Sequence, residues 1–419
     1  MRRVVITGLG TINSTGNSVE ESFNAVIEGK CGIGRITQFD VENFPVQIAG
    51  EVKNFDPTEV MDKKEVKKAD RFIQLGIKAA LEAMIDSGYV NAENKKVDDS
   101  ISERFGIISA SGIGGLGTIQ KNSVACENKG PRRISPFFIP SSLVNMLSGF
   151  ISIEHNLKGP SLSTVTACAA STHALADAAK TILLGGADRI LVVGAESAVC
   201  EAGVGGFAAM KALSARNDDP QKASRPFDTD RDGFVMGEGS GALVLEDLES
   251  AKARGAKIYA EVIGFGESGD ANHITAPVVD GPLRAMKAAI AMAENLTGKT
   301  PKIDYINAHG TSTPVGDKNE TAAVKQLFGG KENCPPVSST KGQHGHCLGA
   351  AGAIEAIMAI KALNEGILPP TINVENQDPD CDIDIVANKA RKAELTTVMS
   401  NNFGFGGTNG CVIFTKFQD

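Results

Sequence analysis

The 419-residue sequence has no tryptophan, only three tyrosines and no Cys-x-x-Cys pair. Its eight cysteines follow no regular spacing, which is typical of reduced thiols in the cytoplasm rather than of a disulfide framework. No apolar run approaches the ~20 residues needed to cross a bilayer. The formal net charge of -8 argues against nonspecific nucleic-acid binding. These absences predict a soluble cytoplasmic protein with no nucleic-acid partner and no membrane insertion.

Strand and helix patterns alternate along the whole chain. The β-branched run "RVVITGLG" is too short for the apolar part of a signal peptide and predicts a first strand. A helix is predicted after it, with Ser18 and Glu21 spaced as a capping box. Such alternation predicts a layered α/β architecture in which helices cover mostly buried sheets. At this length we expect two pseudo-duplicated halves, residues 1–255 and 256–419.

The stretch "TVTACAAST" places Cys168 where a predicted buried strand ends and a helix begins. Unpaired backbone N–H groups and the positive end of the helix dipole favour a thiolate there, and the same amides can donate to an oxyanion. Six of the other seven cysteines lie in loop-like sequence, in or beside strand patterns, or next to prolines or acidic residues. By itself, Cys168 could equally be a small buried hydrophobic residue.

Histidines and a lysine occur at two further strand ends. His309 follows a strand in "NAHGTSTPVGD", and Lys341, His344 and His346 lie between a strand and a helix in "STKGQHGHCLGAAG". Active sites of open α/β sheets gather at the carboxyl ends of strands. Because cysteine with histidine is the usual pairing for thiol-based acyl transfer, the pattern favours an acyl-transfer site.

These motifs, together with "NNFGFGGTNG", occur in the order and context of the β-ketoacyl-acyl carrier protein synthases. Over essentially its whole length the chain resembles these condensing enzymes of dissociated fatty acid synthesis. The resemblance implies a thiolase-like fold, with two halves in α-β-α-β-α layers, and decarboxylative Claisen condensation of an acyl chain with malonyl-acyl carrier protein. It also implies a homodimer, no metal and no organic cofactor, since the phosphopantetheine arm belongs to the carrier protein.

The family's catalytic roles fall on matching residues of this sequence. Cys168 would accept the acyl chain as a thioester. Neutral His309 and His346 would donate to the malonyl thioester carbonyl as carbon dioxide leaves, and Lys341 would hold this histidine network. The backbone amides of Cys168 and Phe405 would form the oxyanion hole.

Binding and supporting roles are implied by the same resemblance. Thr311 and Thr313 would hydrogen-bond the phosphopantetheine arm, while Phe403 and Phe405 would gate the acyl entrance. Ile113 matches the bulky acyl-pocket residue of the type II rather than the type I elongation enzymes. Three acidic residues flank the histidine motifs and are either ordinary helix-surface acids or supports for the histidines: Asp317, Glu320 and Glu355. The resemblance favours the supporting role for Glu355. Basic residues would dock the acidic carrier protein: Lys64, Lys67, Lys68, Arg132, Arg133 and Lys211.

One residue departs from the family pattern, and several alternatives stay open. His344 stands where the family usually has a hydroxyl residue, although the register of "GHCLGAAG" favours His346 as the catalytic imidazole. A polyketide-type ketosynthase or a thiolase remains possible, with Cys411 as the only late cysteine that a thiolase could use. A non-catalytic acyl-binding scaffold is a more distant alternative. Zinc at "HGHC", calcium at "DTDRDG" and a dinucleotide at "TGLGTINSTG" all lack the required spacing.

Overall fold

A computed structural model describes residues 2–418 of the chain. These residues contain fourteen β-strands, ten of which belong to one large sheet. The strands are β1 (Val4–Asn13), β2 (Gly34–Arg35), β3 (Ile48–Ala49), β4 (Phe105–Ala110), β5 (Ser161–Thr164), β6 (Arg189–Glu196), β7 (Gly239–Asp247), β8 (Ala260–Gly269), β9 (Tyr305–Asn307), β10 (Val337–Ser338), β11 (Ile367–Leu368), β12 (Arg391–Lys392), β13 (Thr397–Gly404) and β14 (Thr408–Thr415).

The described residues also form fourteen α-helices, and none is long and apolar enough to cross a membrane. Ser18 caps the first helix by accepting a hydrogen bond from the Glu21 backbone N–H, as predicted. The Glu21 carboxylate accepts from the Asn17 N–H rather than from that of Ser18, so only half of the capping box forms. The helices are α1 (Val19–Ile27), α2 (Lys63–Val66), α3 (Arg71–Asp86), α4 (Asp99–Ser102), α5 (Leu116–Lys129), α6 (Phe138–Ser142), α7 (Met146–His155), α8 (Ala170–Leu183), α9 (Glu201–Ala209), α10 (Leu248–Ala253), α11 (Asp280–Thr297), α12 (Gly316–Phe328), α13 (Lys341–His344) and α14 (Ala351–Glu365).

The large sheet consists of two five-stranded halves with the same topology. Its order is β5-β4-β6-β7-β1 in the first half, followed by β8-β14-β13-β9-β10 in the second. In each half the outer three strands are parallel and the inner pairings are antiparallel. The repeat of order and direction fits the pseudo-duplication expected from the sequence. The proposed boundary at residue 255 lies between α10 and β8 and stays a prediction.

The two halves of the large sheet are hydrogen-bonded to each other. Residues Val4–Ile6 of β1 pair antiparallel with Ala260–Val262 of β8, so the sheet is continuous across the molecule. Helices α8 and α14 contact strands of both halves, whereas α3 packs on the first half and α11 on the second. Every residue of α14 from 351 to 363 is buried. The sheet therefore folds around a central pair of helices, with further helices outside.

Glycines in β1 serve this packing rather than a nucleotide. A Cβ on Gly8 would lie 2.3 Å from the Ala83 carbonyl oxygen, and one on Gly10 would lie 2.1 Å from that of Ala79. Helix α3 thus rests directly on the backbone of β1. In the second half, Gly264 and Gly266 of β8 meet α11 equally closely. Close helix packing therefore accounts for the glycines of "TGLG".

The basic run "KKEVKKADR", in which Lys64, Lys67, Lys68 and Arg71 have helical spacing in the sequence, does not lie on a single helix. Helix α2 ends at Val66, and α3 begins at Arg71 with the Asp70 carboxylate capping the Phe72 N–H. Arg71 is also not a free surface cation, because its guanidinium binds the buried Glu238 carboxylate at 2.7 Å. The pattern was misleading because Asp70 begins a new helix within it.

Candidate active site

Cys168 lies at a sharp turn between β5 and α8. The residue before it, Ala167, has φ of +49°, and a short 3₁₀ turn over Ala167–Ala169 leads into the helix. A left-handed alanine stores backbone strain, which is common where a reactive side chain is presented. The Phe405 backbone N–H lies within hydrogen-bonding reach of the thiol. A Cβ on Gly404 would sit 3.1 Å from the Cys168 nitrogen, so the two predicted oxyanion-hole amides belong to adjoining backbones.

Burial, rather than the helix N terminus, has the largest effect on the pKa of the Cys168 thiol. It raises the pKa of Cys168 to about 12, although the Lys341 charge and the Phe405 N–H act in the opposite direction. This differs from the sequence-based expectation of a thiolate at the helix N terminus. The proton must therefore leave the sulfur during attack on the incoming thioester.

His309 and His346 form a pair of imidazoles at the same cavity. Their ring centroids are 5.3 Å apart and the rings are nearly perpendicular. Within residues 2–418, neither Nδ1 has a hydrogen-bond partner. Burial and the Lys341 charge hold the pKa of both imidazoles well below the ordinary histidine range. Both rings are thus neutral near pH 7, the form required of neutral hydrogen-bond donors.

Lys341 and Glu320 hold the His309 backbone from both sides. The Lys341 ammonium donates to the His309 carbonyl at 2.6 Å, while Glu320 accepts from the His309 N–H at 2.9 Å. Lys341 is 1% exposed and pairs with the fully buried Glu355. Glu355 also accepts from the Asn402 amide at 2.7 Å. The lysine charge is therefore compensated by a carboxylate while it fixes the histidine loop.

His344 is placed differently from His346. Its Nδ1 lies 2.7 Å from the Gly345 carbonyl and its Nε2 lies 2.8 Å from the Thr340 hydroxyl. Nδ1 therefore donates to the carbonyl and Nε2 accepts from the hydroxyl. Burial lowers the pKa of His344 to about 3. With both nitrogens engaged and no access to the cavity, His344 supports the turn, and His346 is the ring that faces the substrate space.

A cavity of about 370 Å³ opens in front of these groups. Such a volume suits a small-molecule arm entering from the surface. Most of the predicted binding residues line it, but Ile113 does not: Ile113 packs in the hydrophobic cluster that also contacts Cys168 and Phe207. The predicted residues on its wall are Cys168, Lys211, His309, Thr311, Thr313, Glu320, His346, Phe403 and Phe405.

Charged side chains hold the loop that carries Thr311 and Thr313. The Thr311 and Thr313 hydroxyls lie 3.1 Å apart. Arg231 donates to the Thr313 carbonyl at 3.0 Å and lies 3.5 Å from the Asp317 carboxylate. Burial raises the pKa of Asp317 to about 6 and that of Glu320 to about 7. Asp317 and Glu320 therefore both hold backbone N–H groups of this region.

The predicted docking residues are at the surface, but one of them is already engaged. The Lys68 ammonium pairs with Glu65 at 2.5 Å and lies over the Phe137 ring. Because the Lys68 carbonyl accepts from Ser141, the segment 64–68 packs beside α6. The remaining five side chains are exposed: Lys64, Lys67, Arg132, Arg133 and Lys211.

Sequence reasoning missed part of the cavity wall. The segment 270–278 contributes His273 and Ile274 to the outer wall, and its Asp270 accepts from the Asn409 amide at 2.7 Å. Nothing in its sequence marks it as functional, because it has neither helical nor strand periodicity. Arg231 was also missed, since "DTDRDG" was examined as a calcium loop. In the structure the Asp228 carboxylate of that loop is held by Arg225 and by backbone N–H groups.

Comparison with protein families identifies both halves of the chain. Residues 1–251 match the "Beta-ketoacyl synthase, N-terminal domain", and residues 259–375 match the "Beta-ketoacyl synthase, C-terminal domain". The chain is 48% identical over 421 residues to a 3-oxoacyl-[acyl-carrier-protein] synthase 2 of Coxiella burnetii, covering 100% of this chain and 99% of the relative. It is 49% identical over 420 residues to the enzyme of the same name in Vibrio cholerae, covering 99% of both.

Solved structures agree on the fold. A β-ketoacyl synthase from Burkholderia phymatum is similar with a TM-score of 0.91 and 34% identity, over 100% of both chains. A ketosynthase bound to a type II polyketide acyl carrier protein is similar with a TM-score of 0.87 and 31% identity, over 99% of this chain and 100% of that one. These likenesses confirm the predicted α/β fold of thiolase type.

Proposed function

The chain belongs to the β-ketoacyl synthase family, and we propose that Cys168, His309, His346 and Lys341 carry out its reaction. It is a condensing enzyme of type II fatty acid elongation, an acyltransferase that joins an acyl chain to malonyl-acyl carrier protein. The products are β-ketoacyl-acyl carrier protein and carbon dioxide. The observation that carries the residue assignment is the convergence of a strained cysteine turn and two neutral imidazoles on one cavity.

In the first half-reaction Cys168 takes the acyl chain. The sulfur attacks the carbonyl carbon of the acyl thioester as its own proton leaves. The resulting oxyanion accepts hydrogen bonds from the Cys168 and Phe405 backbone N–H groups, which adjoin at Gly404. Collapse of this intermediate breaks the carbon–sulfur bond to the carrier, whose thiol departs with a proton. The acyl chain is then bound to Cys168 as a thioester.

In the second half-reaction the two histidines stabilise the enolate. The malonyl thioester carbonyl accepts hydrogen bonds from His309 and His346, and charge accumulates on that oxygen as carbon dioxide leaves. The enolate carbon attacks the thioester on Cys168, and the tetrahedral intermediate expels the cysteine sulfur. That sulfur regains a proton from solvent, so the condensation consumes one proton overall. A neutral imidazole carries one ring N–H, which it can donate to the enolate oxygen. We propose that no metal or organic cofactor takes part.

Two features argue against the other reactions of the superfamily. A thiolase needs a second reactive cysteine, but Cys411 is fully buried within β14 and burial raises the pKa of its thiol. A type II polyketide ketosynthase shares the fold, yet its identity of 31% is well below the 46–49% shared with the 3-oxoacyl-[acyl-carrier-protein] synthases.

The proposed reaction is tested by supplying both carrier thioesters to the purified protein. We expect a β-ketoacyl-carrier product two carbons longer than the acyl donor, with one carbon dioxide released per product. Acetyl-coenzyme A in place of malonyl-carrier should give no product. Condensation with acetyl-coenzyme A alone would identify a thiolase, and an acyl adduct that never condenses would identify an acyl-binding protein.

We further propose that exposed basic residues dock the acyl carrier protein. Support comes from Lys211 on the cavity wall and from Lys67, an exposed lysine whose charge, unlike that of Lys68, is not engaged by Glu65. An acidic carrier approaching these cations gains electrostatic steering. The ketosynthase similar in structure is bound to an acyl carrier protein of its own pathway.

Charge reversal tests this docking surface. We expect Lys67→Glu and Lys211→Glu each to raise the KM for carrier-bound substrate about tenfold while kcat changes less than twofold. Charges at the edge of an interface act mainly on the association rate. The difference in KM between variant and wild type should therefore shrink as the salt concentration is raised. Lys299→Glu, an exposed lysine away from the cavity, is the matched control. An unchanged KM in both variants would remove these residues from the docking surface.

We propose a homodimer that forms through the free edge of the large sheet. Strand β5 is the last strand of the sheet, and its Leu162 is 55% exposed. Helix α7 packs against β5 and carries the exposed Ile153, while α6 adds the exposed Ile139. An unpaired edge with flanking apolar side chains suits a second copy related by a twofold axis.

Free thiols at all eight cysteines support a cytoplasmic location.

The dimer prediction can be tested by placing a charge on the edge strand. We expect Leu162→Glu to convert the dimer to a monomer in sedimentation velocity at micromolar concentration, because a buried unpaired carboxylate costs several kcal/mol. Leu184→Glu is the control, since Leu184 is 87% exposed at the end of α8 and should have no effect on assembly. A dimer that survives Leu162→Glu would place the interface elsewhere.

A further inference from the structure

Glu196 is a fully buried carboxylate that ends strand β6. In the part of the chain that the structure describes, no lysine, arginine or histidine forms an ion pair with it. A buried charge without a cation must be satisfied by hydrogen bonds. Glu196 accepts five: from the Ser111 hydroxyl at 2.8 Å and from the backbone N–H groups of Gly112 at 2.6 Å, Ile113 at 3.1 Å, Gly114 at 3.3 Å and Gly349 at 2.9 Å.

These donors come from two separate segments of the chain. Residues 111–114 follow β4, whereas Gly349 belongs to the turn that leads from His346 into α14. The two backbones touch at this point, because a Cβ on Gly349 would lie 2.1 Å from the Gly112 nitrogen and 2.8 Å from a Glu196 oxygen. The carboxylate therefore joins the segment after β4 to the segment after His346.

Each of these segments carries an apolar side chain of the hydrophobic cluster against which Cys168 packs. Ile113 lies in the hydrophobic cluster that also contacts Cys168 and Phe207. Leu348, which has φ of +49° and lines the cavity, lies in the same cluster. An acyl chain that is bound to the Cys168 sulfur and extends away from the cavity mouth has to enter this cluster. The position of Ile113 thus limits the space available to that chain.

We infer that Glu196 is a positioning residue that sets the acyl-chain length accepted by Cys168, by holding Ile113 in place through the 111–114 backbone. This inference rests on the proposed function of the chain. The backbone hydrogen bonds to this one carboxylate fix the position of the Ile113 backbone, so the wall cannot recede from a longer chain without breaking them. When these hydrogen bonds are lost, Ile113 can move away from the acyl chain. Discrimination between chain lengths then falls, since such pockets discriminate by the volume that they exclude.

Acyl transfer to Cys168 from eight-carbon and sixteen-carbon acyl-carrier thioesters provides the test. Both Glu196 carboxylate oxygens accept hydrogen bonds from backbone N–H groups. In Glu196→Gln an NH2 group replaces one of these oxygens, so at least one N–H donor faces another donor and loses its hydrogen bond. We expect the ratio of kcat/KM for the long chain over the short chain to rise about fivefold or more. In an Ile113→Ala background, Glu196→Gln should change that ratio less than twofold, because the wall that it positions is absent.

Two further variants separate positioning from general damage. Ser111→Ala removes one donor and keeps the carboxylate, so we expect a smaller shift of the ratio in the same direction, even if Glu196→Gln fails to fold. Glu246→Gln alters a buried carboxylate that binds Arg254 beyond the other end of β6. It should lower the unfolding temperature without moving the ratio.

The outcomes distinguish this inference from the proposed function. An unchanged ratio in Ser111→Ala and Glu196→Gln overturns the inference, and so does an effect of Glu196→Gln that is equally large with and without Ile113. A wild-type protein that never acylates Cys168 overturns the proposed function instead.

Discussion

Replacing Cys168 by alanine is expected to abolish acyl transfer and condensation, with a fall in kcat/KM of about 10⁴-fold or more. No other cysteine within residues 2–418 lines the cavity, so no second thiol can take over the attack. The fold should survive, because the side chain is small and faces the cavity at the end of a preserved turn. Transfer of a labelled acyl group from its carrier, followed by peptide mass mapping, measures the loss directly.

The same variant should keep one partial reaction. His309 and His346 remain in place, so we expect Cys168→Ala still to decarboxylate malonyl-carrier and to release acetyl-carrier. Cys31→Ala is the matched control, since Cys31 is a half-buried free thiol outside the cavity wall and should be dispensable. Condensation that persists in Cys168→Ala would require a different nucleophile.

Most of the architecture follows from patterns that are local in the sequence. Alternating strand and helix signals, with Ser18 as a cap, indicate the elements, and their order implies a layered α/β fold. What local patterns do not contain is how the halves meet. The continuous sheet depends on three residues of β1 pairing with three of β8, some 250 positions away. Such contacts have no periodic signature.

The site shows the same division between local and distant information. Cys168, His309 and His346 stand out because each follows a strand end, where open α/β sheets gather their chemistry. Sequence position alone could not give the pKa of the Cys168 thiol, because burial is the sum of contacts from distant segments. Nor could it single out Glu196, whose five donors come from residues 82 to 153 positions away.

The second large effect is expected at His346. His346→Ala should reduce malonyl-carrier decarboxylation about 10³-fold, because it removes one of two donors to the developing enolate. His344→Ala is the matched control only two residues away. His344 bonds Thr340 and Gly345 and does not reach the cavity, so its loss should lower thermal stability while decarboxylation falls less than tenfold. Decarboxylation that survives loss of His346 but not of His344 would reverse the assignment.

The pH dependence of this step follows from the same geometry. Since the pKa of both His309 and His346 is held well below the usual value by burial and Lys341, neither ring protonates as pH falls through 6.5. Decarboxylation by Cys168→Ala should therefore show no histidine inflection there. Folding stability, by contrast, decreases below that pH, because only the unfolded chain takes up protons on these rings.

Any inflection near pH 7 should instead come from Glu320. Burial raises the pKa of Glu320 to about 7, and its carboxylate accepts the His309 and Gly310 N–H groups. Protonation as pH falls through 7 weakens these bonds and loosens the His309 loop, so the rate should decline on the acid side. Glu320→Gln cannot titrate and should remove that inflection. An inflection that persists in Glu320→Gln and disappears in His346→Gln would show that His346 titrates, and that the enolate is stabilised by an imidazolium rather than by two neutral rings.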